Sequence, residues 1–523
     1  MKRVIFCLSL LFLAGCQNSK DDMPEVPFSN FMEYGEYSVG FKTLFTTDDS
    51  RESVPYADWS GKLYPEHKAS EGRKLPIHIW YPASDKSKLL PYAHFVDLMT
   101  AQTEEGFKKD SDALAKKIFA YQVDQLKGED GFTMAQLDTL LALKTNASLN
   151  ANPIQQKFPL VIFPNGASPA YQSVLCEYLA SYGFVVAAVA LKGEFSHVRG
   201  TSVKGLETAV SDLQFTLGQL FKLPNVNKEE VALIGNAMAS SICASLASRN
   251  KKIKALISLE GGLLSQFEQN ILNETNFYEP QRITLPLLAI YAPHPSISPE
   301  QIYHLNYSER YFAHFPEMSE FHFLNFGPFE AYVPNIIGQP KGDVKKGFKV
   351  SAELVLAFLD AKLKQEEENL NQFYGGEIPE KFEKTIDTLF RLDGFNPPPN
   401  MAILKNLFIT KGMYAIDSIY QSHISEGNPK PFSNTFYNDF KNWLAWKKDP
   451  DYVYRMHLYE MAAESYPEST LNHYRLGYYL EKNNLAEKSQ LHYKQAKKLI
   501  DEDNTITPSL KRDLESALNE VIK

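Results

Sequence analysis

A chain of 523 residues, 44% hydrophobic and 13% aromatic, is long enough for two or three domains with sizeable buried cores. Its formal net charge of −9 is spread along the sequence with no Lys/Arg-rich stripe, which argues against a nucleic-acid partner. The four cysteines and twelve histidines show no zinc-ligand spacing, and neither a Gly-Lys-Ser/Thr phosphate loop nor a His-Glu-x-x-His helix is present, so no metal or cofactor is expected.

Residues 1–16, MKRVIFCLSLLFLAGC, join a basic start (Lys2, Arg3) to a short apolar core and a small-residue ending, the layout of a secretory signal. The apolar run falls short of the ~20 residues that a spanning helix needs. Its ending, Leu13-Ala14-Gly15-Cys16, resembles a lipobox, which makes Cys16 the acylated first residue of the mature chain. The expectation is an outer-membrane lipoprotein of a Gram-negative-type bacterium, periplasmic or surface-exposed, tethered through residues 17–35. Cys176 and Cys243 stand in apolar helical stretches and read as small buried residues rather than a disulfide.

Residues 36–368 read as one α/β domain. Strand patterns at YSVGFKTLFTT and KLPIHIWYPA open it, and a helical insertion over 86–150 follows, carried by DALAKKIFAYQVDQL and FTMAQLDTLLAL and able to cover a pocket. Apolar strands then alternate with amphipathic helices: FPLVIFPNG, AYQSVLCEYLASYG, FVVAAVAL, GLETAVSDLQFTLGQLFKL, EVALIG, NAMASSICASLASRN and IKALISLEGG. Such alternation predicts a mostly parallel sheet covered on both faces, with sites at the carboxyl ends of its strands. LPLLAIYAP and EFHFLNFG are expected as two further strands, and SAELVLAFLDAKLKQ as the closing helix.

Residues 369–402, with YGGEIPE and FNPPPN, read as a turn-rich linker, and 403–523 as an all-α domain. In the latter, Tyr493 and Ala496 repeat Tyr459 and Ala462 at a 34-residue period, and Leu476 and Gly477 stand in the preceding helix. These positions resemble the tetratricopeptide pattern, which implies a helical array able to bind a protein partner. Tyr474, Tyr478 and Tyr479 are candidates for its binding face, or for the repeat's own core.

The segment VALIGNAMASS shows a strand, a turn and a helix with Gly235 and Ala239 as small flanking residues. This is the frame of a nucleophile elbow, Gly-x-Ser-x-Gly, with Ala237 standing where the serine belongs. With the preceding segments in order, residues 36–368 resemble the α/β-hydrolase superfamily, in the branch of dienelactone hydrolases and platelet-activating-factor acetylhydrolases. The resemblance implies an oxyanion pocket from the loop Asn165, Gly166 and Ala167 together with the amide of Met238. It implies an acid at Glu260, 23 residues beyond Ala237, and places the histidine in FLNFGPF, where Phe323 stands; His322, one residue earlier, is a possible substitute. Two triad positions are thus unsuitable, and the expectation is an impaired esterase-like protein that keeps a pocket for a small ester-like ligand. Two alternatives stay open: an active carboxylic-ester hydrolase with another nucleophile, and a membrane-anchored interaction protein acting through its helical array.

Overall fold

The computed structural model describes residues 27–52, 72–85, 88–101, 113–127, 131–164, 169–193, 200–275, 277–446, 452–503 and 506–522. One sheet holds eleven strands: β1 Ser38–Asp48, β2 Arg73–Ala83, β3 Leu89–Pro91, β4 Lys144–Leu149, β5 Phe158–Ile162, β6 Val185–Val189, β7 Val226–Asn236, β8 Ile253–Leu259, β9 Leu287–Tyr291, β10 Arg310–His314 and β11 Thr388–Leu392. Their order across the sheet is β11-β10-β9-β8-β7-β5-β6-β2-β1-β4-β3. The six strands from β6 to β10 in that order run parallel, and β2 joins β6 antiparallel. The chain steps from β5 outward to β6 and then returns to the other side of β5 to lay down β7. That reversal opens a crevice at the carboxyl ends of β5 and β7, where open α/β sheets hold their ligands.

The helices of the α/β domain are α1 Ala93–Asp97, α2 Ala113–Lys127, α3 Met134–Ala142, α4 Ser173–Ser181, α5 Val203–Leu220, α6 Met238–Ala247, α7 Gln266–Glu274, α8 Phe326–Phe329, α9 Val344–Leu359 and α10 Glu368–Tyr374. Alternation within the strands feeds two cores. Ala232 and Ile234 of β7 face the layer with Val174 of α4 and Leu354 of α9, whereas Val231 and Leu233 face Leu213 of α5 and Ile242 of α6. The long helices start at side-chain caps: Ser202 accepts from the Gly205 amide and Asp343 from the Lys346 amide. Arg73 at the start of β2 makes a two-point ion pair with the fully buried Asp212 of α5, both contacts at 2.7 Å.

The structure corrects three expectations. The insertion is not purely helical, because β3 and β4 extend the sheet, β4 pairing parallel with β1. Residues 369–402 are not a bare linker, because they carry most of α10 and the strand β11, which pairs antiparallel with β10 and stacks Phe390 on Phe312 at 4.4 Å. The last parallel strand is RYFAH, not EFHFLNFG; the latter folds as a 3-10 turn over Glu320–Phe323 running into α8. Cys176 and Cys243 are buried free thiols.

Seven further helices follow: α11 Met401–Lys411, α12 Met413–Ser425, α13 Asn434–Trp446, α14 Val453–Ser465, α15 Thr470–Lys482, α16 Ala486–Leu499 and α17 Pro508–Val521. They build their own cores around Tyr420, Tyr437, Leu458 and Tyr459, and around Tyr493, Ala496 and Leu518. Glycine at 477 lets α15 and α16 approach closely, since a Cβ there would lie 2.7 Å from the Tyr493 ring. Among the described residues no helix is long and apolar enough to cross a membrane.

Candidate functional site

Ala237 sits between β7 and α6 with φ +48° and ψ −135°, a conformation that an L-residue adopts only under tertiary constraint. Its amide donates to the carbonyls of Leu259 (3.1 Å) and Glu260 (2.8 Å), and its carbonyl accepts from the Ser240 amide at 2.9 Å. The turn is walled by glycines that admit no side chain. A Cβ on Gly235 would meet the Ser240 backbone at 2.3 Å, and one on Gly262 would meet the Ala237 carbonyl at 2.2 Å. The strand-to-helix turn therefore keeps the strained geometry of a nucleophile elbow and presents a half-buried methyl group where attack would require a hydroxyl. The hydroxyls of Ser240 and Ser241 are fully buried and have no hydrogen-bond partner among the described residues.

Glu260 follows β8 with φ +46° and is 4% exposed. Its carboxylate accepts from the Ala292 amide at 2.7 Å, which braces the end of β9, and among the described residues it makes no hydrogen bond to a histidine. Burial pushes its pKa up to about 7; the Ala292 hydrogen bond opposes this, while Glu320 and Glu268 add to it. Neither of those two carboxylates was read from the sequence. Glu268, in the first turn of α7, stands across Gly261 from the elbow: the point where a Gly261 Cβ would sit is 3.7 Å from its Oε2 and 3.7 Å from the Ala237 methyl carbon. Glu320 is raised by burial and lowered by the nearby His294 imidazole. These groups follow three different strands, and no local spacing announces that they converge.

Among the described residues His322 makes no hydrogen bond to Glu260. It is 3% exposed in the 3-10 turn, where its Nδ1 accepts from the Ser319 amide at 3.0 Å. The proton therefore resides on Nε2, which is buried without a partner. Burial depresses its pKa to about 4, so the ring is neutral at pH 7. Phe323, which the family resemblance sets at the histidine position, is a core residue set edge-on to Phe315 at 5.5 Å.

The loop Asn165, Gly166 and Ala167 and the acylation site Cys16 lie outside the described residues. Met238 opens α6 and is buried with its side chain in the α5/α6 core. The segment immediately after the loop is roofed by the insertion. Phe119 of α2 stacks on Tyr171 at 5.7 Å, Tyr171 stacks on Phe326 at 5.5 Å, and Tyr92 donates to the Ala170 carbonyl at 2.8 Å. No group of three or more His, Cys, Asp or Glu among the described residues is arranged to hold a metal ion. Of the array tyrosines, Tyr479 is a core residue, whereas Tyr478 is 37% exposed.

Two family models match parts of the chain: platelet-activating factor acetylhydrolase, isoform II, over residues 120–199, and BAAT / acyl-CoA thioester hydrolase C terminal over 216–298. The first spans the insertion helices and the β5 loop, and the second spans the elbow and Glu260. No curated protein matches in sequence. Among solved structures, a ferulic acid esterase from Streptomyces cinnamoneus aligns at 19% identity and TM-score 0.46, covering 64% of this chain and 92% of the esterase. An acylaminoacyl peptidase from Pyrococcus horikoshii aligns at 16% identity and TM-score 0.31, covering 41% of this chain and 38% of the peptidase. The strand order, the elbow dihedrals and the two family matches support an α/β-hydrolase fold for the first domain.

Proposed function

We propose that this α/β-hydrolase-fold chain is a lipid-anchored protein that binds a small acyl or ester-like ligand without hydrolysing it through a covalent serine intermediate. The observation that carries the reading is Ala237: the turn keeps its strained conformation and its access, and lacks only the nucleophilic oxygen. The engagement of Glu260 by the Ala292 amide and of His322 by Ser319 supports it. Without nucleophile and base, the remaining donors and binding contacts leave at most residual turnover. Both matching families are described as acyl hydrolases, which favours an acyl group as the ligand's recognised part.

The lipobox-like ending at Cys16 supports an anchor in the outer membrane, and the 34-residue repeat with its Gly477–Tyr493 approach supports a tetratricopeptide-like array serving a protein partner. Purified mature protein is expected to turn over short-chain nitrophenyl esters far below esterase rates and to resist labelling by a serine-directed phosphonate. Esterase-level turnover with one labelled serine would sink the proposal and establish the active-hydrolase alternative. Ala237→Ser is expected to gain labelling at 237, because the elbow geometry is already in place.

A further inference from the structure

Two histidines meet where α15 packs on α16. The Nδ1 atoms of His473 and His492 lie 3.0 Å apart, and their ring centroids 5.2 Å apart with an interplanar angle of 19°. Rings so spaced, with nitrogens so close, meet edge to edge, and a single proton fills the gap between the two Nδ1 atoms. Its owner is fixed by the Pro467 carbonyl, which lies 3.0 Å from His473 Nε2. A carbonyl only accepts, so neutral His473 carries its proton on Nε2 and offers a lone pair at Nδ1. His492 therefore donates from Nδ1, and its own Nε2 keeps a lone pair.

The pair has room for one further proton. That proton enters at His492 Nε2, where the negative charge of Glu460 favours it, and it makes the bond between the rings charge-assisted. A second proton would have to take the lone pair of His473 Nδ1, the one acceptor in the bond. It would set two N–H groups and two positive charges against each other across 3.0 Å. The surroundings of His473 oppose that charge. The ring is 7% exposed, it stands in the first turn of α15, where the helix dipole disfavours a cation, and the carboxylate acting on it, Glu468, is paired with Lys430 at 2.9 Å. On the other side, Glu460 and His457 of α14 are joined at 3.0 Å, Asp417 of α12 lies 3.5 Å from His457, and Lys488 of α16 acts on Glu460. Burial lowers the pKa of both rings, and at His492 the charge of His473 lowers it further.

We propose that the hydrogen bond between His473 and His492 is a pH-sensitive latch, closed near neutral pH and forced open in acid, which ties the packing of α15 on α16 to ambient acidity. Tyr474 and Tyr478 ride on α15, so the face they present changes with the latch. The latch is independent of the elbow, and its failure leaves the reading of Ala237 untouched. Above the ordinary histidine pKa of about 6.5 its stabilisation is fully present. As pH falls below that value the opened pair binds two protons where the latched pair binds one, so opening gains up to about tenfold per pH unit. Hydrogen exchange of the whole mature chain, corrected for the intrinsic pH dependence of exchange, tests it. Opening of α15 and α16 should rise at least about fivefold between about pH 6 and about pH 5, and a smaller rise overturns the proposal. His473→Asn and His492→Asn should each remove the rise, because an amide accepts from a protonated ring as readily as it donates to a neutral one. A rise that survives in either variant, or one that His457→Gln removes instead, overturns the latch. Nitrogen-15 NMR of the parent at neutral pH gives a check that needs no variant: His473 should be protonated at Nε2 and His492 at Nδ1, and any other pair of tautomers overturns the assignment.

Discussion

Ala237 costs the fold something at every moment it is folded. A non-glycine residue at φ +48°, ψ −135° stores strain on the order of 1–3 kcal/mol, and glycine at that position would not. Ala237→Gly should therefore raise the unfolding free energy by roughly 1 kcal/mol, after allowing for glycine's greater unfolded-state entropy; a denaturant melt checks it, and a loss of stability would mean the turn is relaxed. Glu260 supplies a second residue-scale outcome. Its native pKa near 7 exceeds the ordinary carboxylate value, so the native state holds a proton that the unfolded state releases. Its contribution is fully present below about pH 4.5 and is lost as pH rises to about 7. His322 acts in the opposite direction: with its pKa depressed to about 4, stability is lost as pH falls from 6.5 toward 4. Glu260→Gln should flatten the decline between pH 5 and 7 by on the order of 2 kcal/mol in chemical denaturation. The identities of Ala237 and Phe323 were legible from the sequence, because the identity of a residue at a motif position needs no coordinates. The engagements of Glu260 and His322 were not legible, because a side chain's partner is set by backbone dihedrals that the motif does not encode.

At the scale of elements, the central strands and their covering helices could be read from continuous apolar runs alternating with amphipathic ones. The additions at the edges could not. KTNASL has too few apolar residues to announce a strand, and β4 forms because β1 offers an unpaired edge. RYFAH and TLFRL pair with one another although EFHFLNFG shows the stronger apolar run; its chain turns at Ser319, whose side chain and amide are both tied to His322. The buried pair of Arg73 and Asp212 holds β2 to α5, with Arg51 joining Asp212 at 2.9 Å. Asp212→Ala would take both carboxylate contacts of Asp212 from the buried Arg73 guanidinium, and should cost roughly 3–5 kcal/mol in the equilibrium unfolding of the first domain. A loss below about 1 kcal/mol would show that Arg73 reaches solvent in the variant.

In the whole molecule, the segment read from the sequence as a linker is built into the sheet. β11 closes one edge of the α/β domain, the Phe395 amide donates to the Asn306 carbonyl at 2.8 Å, and the Tyr307 hydroxyl donates to the Pro431 carbonyl ahead of α13. The helical array is therefore attached through buried contacts rather than a free tether. Phe390→Asp, which breaks the stack on Phe312, should lower stability by at least about 3 kcal/mol and separate one cooperative melt into two; retention of a single transition would show that β11 is not the joint.

The sequence by itself determined that a methyl group stands at 237 and a phenyl ring at 323, neither of which can serve there as nucleophile or base in any conformation. It also determined the layered α/β core, because apolar periodicity is a local property. Only the tertiary structure decided where Glu260, Glu268, Glu320 and His294 stand relative to the elbow. Glu260 and Glu268 follow β8, His294 follows β9 and Glu320 follows β10. Their distances come into being only when the sheet closes and the helices pack, long after spacing along the chain has ceased to matter.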